Sequence, residues 1–215
     1  MTNTAVKSRR PRTAQQKPEE GAASRRLILD AAASLFCTQG YSDTSMREIA
    51  DKVGIKQASI YYHFTSKEVI LTEILAISID TVVEAVSRKI EALPANTGPA
   101  AKLLIALESH VRVLYERPDY TATAVRCAAE IPKKTLREAL PKRGRYATFW
   151  KSLFKEASLS KQLQPGVNIE LLHPFLLHSV NRTLAWYDPT RGNVEDLVQI
   201  VLKIAKAFVL PTKAN

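Results

Sequence analysis

Thr44-Ser-Met-Arg-Glu-Ile-Ala-Asp-Lys-Val-Gly-Ile-Lys-Gln-Ala-Ser-Ile-Tyr-Tyr-His-Phe64 is the stretch on which the reading of this chain turns. Ser45 and Glu48 stand in S-x-x-E spacing, a capping box in which each side chain satisfies an orphan amide of the other's turn. Met46, Ile49, Ala50 and Val53 then give the apolar face of one short helix, and Gly54 stands where a left-handed residue would end it. A second short helix follows over about 57–64, with Ile60 and Phe64 four apart and placed to point inward together. Gln57, Ser59, Tyr61, Tyr62 and His63 are left to face outward or sideways. Two such helices joined through Gly54-Ile55-Lys56 match a helix-turn-helix. The turn is tight, Ala50 permits a close crossing, and Gln57 and Ala58 keep the second helix slim and polar enough for a DNA major groove.

Working outward, Leu27, Ile28, Ala31, Leu35 and Phe36 recur at helical spacing and Gly40 stops the run, which predicts a helix over 22–39. On the other side, Thr65 and Glu68 read as a second capping box opening a helix over 66–92, long enough to bridge two domains. Helical patterns continue over 99–116, 119–130, 133–163, 169–187 and 193–209, the last with Asn193 as N-cap. Pro141 and Gly144 predict a break inside 133–163. No strand-like alternation persists, so the expected fold is all-α in three parts. These are a disordered basic arm at 1–21, a three-helix DNA-binding unit at 22–68, and a larger helical regulatory and dimerisation unit at 69–215.

The 215 residues carry 31 Lys plus Arg against 21 Asp plus Glu, a net charge of +10 that favours a polyanionic partner and says nothing of fold. Part of that surplus lies in the arm, as Lys7, Arg9, Arg10, Arg12 and Lys17, with no apolar stretch in signal-peptide position behind it. The most apolar segment, 194–210, is interrupted by Lys203 and Lys206 and is too short to span a bilayer; a cytoplasmic protein with no membrane partner is expected. Cys37 and Cys127 lack metal spacing and read as small buried hydrophobes in a reducing compartment.

With these residues in place, the chain resembles the tetracycline-repressor (TetR) family from Arg26 to Leu75, roughly a quarter of its length. The resemblance rests on Ile28-Leu-Asp-Ala-Ala-Ala-Ser-Leu-Phe36, Gly40-Tyr41, Thr44-Ser-Met-Arg-Glu-Ile-Ala50, Val53-Gly54-Ile55, Ser59-Ile-Tyr-Tyr-His-Phe64 and Ser66-Lys67-Glu68. It implies a DNA-binding regulator that is not an enzyme, working as a homodimer on a palindromic operator and answering to a small-molecule effector. It also implies roles for residues here. Ser45 would touch a phosphate, and Arg47 a base edge or the backbone. Gln57 would read a base, since its amide pairs with adenine N6 and N7. Ala58 would allow close approach. Ser59, Tyr61 and His63 would hold phosphates, Tyr62 would pack on sugar or a thymine methyl, and Lys67 would meet a phosphate at the start of the long helix.

Beyond this region the signal is thinner. Leu171, Leu172, Phe175, Leu176, Val180 and Leu184 are too many for a solvent-facing helix. With Trp186, Leu197 and Val201 they suggest an antiparallel helix pair that meets its copy in a four-helix interface. Between Lys133 and Arg145 the chain holds six cations against Glu138 alone. A solvated face is the ordinary reading of such a run. The sharper one makes Lys142, Arg143 and Arg145 an anion site for a ligand such as an acyl-CoA. Some members of the family that the chain resembles, with a corner like Trp186-Tyr187-Asp188-Pro189, respond to CoA thioesters of lipid or steroid breakdown. His110, His173 and His178 are candidates to line a pocket, but His173 and His178 are five apart, so no metal is expected. No nucleophile elbow, phosphate loop or H-E-x-x-H occurs, and no cofactor is implied. A ligand-relieved repressor is the leading reading. An activating or ligand-independent regulator and an architectural DNA binder stand as alternatives, although the latter does not need a large apolar second domain.

Overall fold

The structure, a computed structural model, describes residues 16–127 and 129–210, with the backbone alone at 16–20, 136 and 138–140. Among the described residues there are nine α-helices and one 3-10 turn. They are α1 (Gln16–Gln39), α2 (Met46–Val53), α3 (Gln57–His63), α4 (Lys67–Glu91), α5 (Pro99–Leu114), α6 (Pro118–Arg126), α7 (Lys133–Leu159), α8 (Ile169–Trp186), η1 (Pro189–Arg191) and α9 (Val194–Lys206). The sole β-type pairing among these residues is an isolated bridge between Leu163 and Val209. The all-α expectation therefore holds.

Two apolar clusters organise the molecule. The head's cluster gathers Ile28 and Phe36 from α1, Ile49 from α2, Ile60 and Phe64 from and after α3, and Ile70 from α4. The body's cluster is built around Val86, Leu107, Val111, Trp150, Phe154 and Val198. α4 contributes to both, Ile70 to Leu75 in the head and Val82 and Val86 in the body. One rigid helix thus runs from one core into the other, and the head's core extends past residue 68. α6 makes a second bridge: Tyr120 and Cys127 pack into the head, and the same helix packs on α8 of the body.

Three local expectations are corrected. α1 begins at Gln16, so residues 16–21, expected within a disordered arm, are helical; the rest of that arm lies outside the described residues. Pro18 does not prevent this, because a first-turn amide has no intrahelical partner to lose. The cap of α4 is Ser66, whose hydroxyl accepts from the Val69 amide, and not a Thr65–Glu68 box. α7 runs unbroken through Pro141 and Gly144. Pro141 costs the helix one amide donor, but it is exposed, as is Arg137 whose carbonyl loses that donor, so water is at hand. Beyond it Tyr146, Trp150, Leu153, Phe154 and Ala157 are buried at helical spacing. Packing along that face outweighs the local defect.

Candidate functional site

The head presents α3 on its surface. The α2 capping box forms as expected: the Glu48 amide donates to Ser45 Oγ at 3.2 Å, and the Ser45 amide donates to Glu48 Oε2 at 2.7 Å. Ser45 Oγ also donates to Glu48 Oε2 at 2.7 Å, which holds that carboxyl below its usual pKa. Gly54 closes α2 at φ 76°, a left-handed value that a side chain would strain, and its amide and that of Ile55 return to Asp51 and Ala50 carbonyls. From this turn α3 emerges with Ile60 buried and Gln57, Ala58, Ser59, Tyr61 and Tyr62 exposed. Tyr62 is 87% exposed, a large apolar ring in water, and its edge meets the His63 ring at 5.2 Å. Arg47 is exposed as well, with only a loose 3.8 Å pairing to Asp51. Eight of the nine residues expected to face DNA are therefore on this surface or at its edge, His63 being half-buried.

Lys67 is the exception. Its ammonium donates to the carbonyls of Tyr41 at 2.6 Å, Thr44 at 2.7 Å and Ser42 at 3.3 Å, and lies 4.3 Å from the Tyr41 ring centre. An ammonium has three donors. All three are engaged by the loop before α2, so the side chain fastens that loop to α4 instead of reaching for a phosphate. Arg25 has the same kind of role and was not singled out from the sequence. It pairs with Glu73, donates to the His63 carbonyl at 2.6 Å, and lies over the Phe64 ring at 4.0 Å. Glu130, also missed, accepts from the Ser42 amide at 2.6 Å across 88 residues. Such contacts leave no periodic signal, because each joins an ordinary surface-type residue to a distant backbone group.

The body encloses a cavity of about 390 Å³ between α4, α5, α6, α7 and α8. Its walls are mostly apolar, with Ile79, Val82, Leu114 and Leu177 among them, and all three histidines singled out from the sequence line it. His110 is buried and fully paired: Nε2 donates to Asn181 Oδ1 at 3.0 Å, which leaves Nδ1 to accept from the Tyr146 hydroxyl at 2.9 Å. Burial lowers its pKa to about 4, so it is neutral near pH 7. Of the cation cluster, only Arg143 lines the cavity. Lys142 is paired with Asp80 and Arg145 is exposed, so the three do not form one site. Arg143 has no carboxylate partner among the described residues, and burial lowers its pKa. Trp150 Nε1 and His173 Nε2, on two more cavity-lining residues, are buried without hydrogen-bond partners. Among the described residues no group of three His, Cys, Asp or Glu side chains is arranged to hold a metal.

Two family models match this architecture. Residues 28–74 match the N-terminal model of bacterial regulatory proteins of the tetR family, and residues 96–207 match a tetracyclin repressor-like C-terminal domain, about half of the chain. The chain belongs to the TetR family. It is accordingly a DNA-binding transcription regulator and not an enzyme. This TetR protein is 27% identical over 180 residues to the HTH-type transcriptional repressor KstR2 of Mycolicibacterium smegmatis, an alignment covering 82% of this chain and 85% of that one. The solved structure of the ketosteroid transcriptional regulator KstR2 of Mycobacterium tuberculosis superposes with a TM-score of 0.77 at 19% identity, covering 87% and 95% of the two chains. AibR, solved in complex with isovaleryl coenzyme A and operator DNA, superposes with a TM-score of 0.75 at 25% identity, covering 88% and 100%.

The TetR chain also divides the residues expected at a protomer interface. Leu172, Leu176, Val180, Leu197 and Val201 are buried inside the protomer, each at 8% exposure or less. Phe175 and Trp186 are 63% exposed, and so largely are Leu171, Ile200 and Ile204, which share the outer faces of α8 and α9. The first five cannot meet another copy. The sequence marked both helices as apolar on more than one side, and only the packed structure separates the inner side from the outer. Among the described residues no helix is long and apolar enough to cross a membrane.

Proposed function

We propose that the protein is a homodimeric, cytoplasmic repressor that a small molecule releases from a palindromic operator. The observation that carries this is α4: it starts against the DNA-facing unit and lines the internal cavity with Leu75, Ser78, Ile79 and Val82. A ligand that favours one packing of those residues over another shifts the position of the head, by selecting between two states of one rigid element. KstR2, named a repressor, and AibR, solved with both a CoA thioester and operator DNA, support the sign and the coupling.

In this reading Gln57 reads a base edge, Arg47 reaches base or backbone, and Ser45, Ser59, Tyr61 and His63 hold phosphates. Ala58 admits the groove wall and Tyr62 packs on sugar or thymine methyl. Dimerisation uses Leu171, Phe175, Trp186, Ile200 and Ile204, large apolar side chains left exposed on α8 and α9 of the kind that marks a protein interface. Two heads so joined read half-sites about 34–36 Å apart, or a multiple of that. The effector is an apolar metabolite with an anionic end, a class that includes acyl-CoA. The deciding experiment is footprinting on DNA upstream of its own gene, at physiological salt with excess non-specific competitor. A protected palindrome is the expected result. Binding that the competitor abolishes would refute a specific operator there and favour an architectural role.

A further inference from the structure

The cavity's polar groups are not arranged like its apolar ones. The apolar walls ask for no partner beyond apolar contact, and His110, Tyr146 and Asn181 satisfy one another. Among the described residues that line the cavity, three groups lack a well-formed hydrogen bond or counter-charge: the Arg143 guanidinium, the Trp150 indole N–H, which has only a weak contact to the Tyr146 hydroxyl, and His173 Nε2. A buried donor without an acceptor is costly, and a desolvated cation without a counter-charge is more so. Native proteins keep few such groups, so three on one cavity wall call for an explanation, and a ligand that supplies the missing partners is one. Arg143 stays protonated despite its lowered pKa and offers a planar fork that matches a carboxylate. Ala147, one turn along α7, is exposed and lines the same cavity, so the space opens to solvent near Arg143.

We propose that the ligand of this cavity is a compact apolar carboxylic acid held whole inside it, its carboxylate on Arg143 and a second oxygen on the Trp150 indole N–H. The proposal rests on the reading of the cavity as the effector site and narrows it. At about 390 Å³ the space lies near the small end of ligand pockets and suits a medium chain or a few fused rings. It favours the free acid over its CoA thioester for two reasons. A thioester has no charge at the acyl end to meet Arg143. Of the cations expected to receive the phosphates of CoA, Lys142 is held by Asp80, and neither it nor Arg145 lines the cavity.

Calorimetric titration of the full-length protein with decanoate, 1-decanol and decanoyl-CoA tests this. Decanoate should bind about tenfold or more tightly than decanol, the difference of one charge-assisted pair. Arg143→Gln should abolish that preference by weakening decanoate alone, and Arg143→Lys should restore part of it. Ala147→Phe, at an exposed position where a larger side chain displaces no core contact, should narrow the opening and weaken both ligands. Equal binding of acid and alcohol, tighter binding of decanoyl-CoA, an acid preference that survives Arg143→Gln, insensitivity to Ala147→Phe, or no binding at millimolar ligand each overturns the proposal. Operator footprints are run on the same samples. Arg143-dependent decanoate binding that leaves the footprint intact keeps the site and refutes its regulatory role. A sound footprint with no acid preference does the reverse.

Discussion

The DNA-facing head and the cavity-bearing body are built from similar helices but treat their polar groups in opposite ways. In the head the charges that shape the fold are satisfied within the chain, Lys67 by three carbonyls and Arg25 by Glu73 and the His63 carbonyl. The groups left over, Gln57, Ser59, Tyr61 and Tyr62, point out to water. In the body the outer charges also pair, Lys151 with Glu170 and Arg112 with Glu195, and the groups left over, Arg143 and the Trp150 indole N–H, line an internal space. The head is finished as a fold and unfinished at its surface. The body is unfinished at its centre. A flat polyanion meets a surface and a small molecule needs to be enclosed, so the location of the unsatisfied groups separates the two kinds of partner.

The largest expected effect comes from the body. Trp150 is fully buried, and Trp150→Ala should cost about 3–5 kcal/mol in denaturant unfolding. A smaller loss would mean the cavity is already loosely packed around that ring. Next, Lys67→Met should cost about 2–3 kcal/mol by stranding the carbonyls of the α1–α2 loop. It should weaken operator binding while leaving the slope of log affinity on log salt unchanged. A slope shallower by about one would restore the phosphate contact expected from the sequence.

His110 contributes to the acid limit. Its folded pKa of about 4 lies below the usual 6.5, so on acidification the unfolded chain takes the proton first. Stability from this site is complete above pH 6.5 and falls as pH drops toward 4, by about 2 kcal/mol at pH 5. His110→Gln should remove most of that dependence between pH 7 and 5, read as the midpoint of thermal unfolding.

The smallest effects on stability belong to the exposed helix. Gln57→Ala should lower operator affinity by about 1–2 kcal/mol at one base position and leave other sequences unaffected. Uniform loss on all sequences would reassign it to the backbone. Tyr62→Ala should change folding stability by less than about 0.5 kcal/mol, since its ring is 87% exposed, while still weakening DNA binding. A larger stability loss would place the ring in a contact with the rest of the chain.

The amino-acid sequence by itself determined the head. Capping residues, the Gly54 turn and the four-residue spacing of Ile60 and Phe64 are local rules, and each acts within one or two turns. The same locality made the helical character of the whole chain and the presence of eight DNA-facing candidates legible. It failed where the outcome depends on what lies across from a residue. Pro141 reads as a break until the packing of Tyr146 and Trp150 is known, and Leu172 and Phe175 read alike until one is found inside and the other outside. Only the tertiary structure decided that Lys67 turns inward, that Arg143 alone of three neighbouring cations lines the cavity, and that Trp150 does so with its N–H unpartnered. The physical reason is range. Backbone capping and helical periodicity are fixed by neighbours in sequence, whereas burial and charge pairing are fixed by neighbours in space, many of them dozens of residues away.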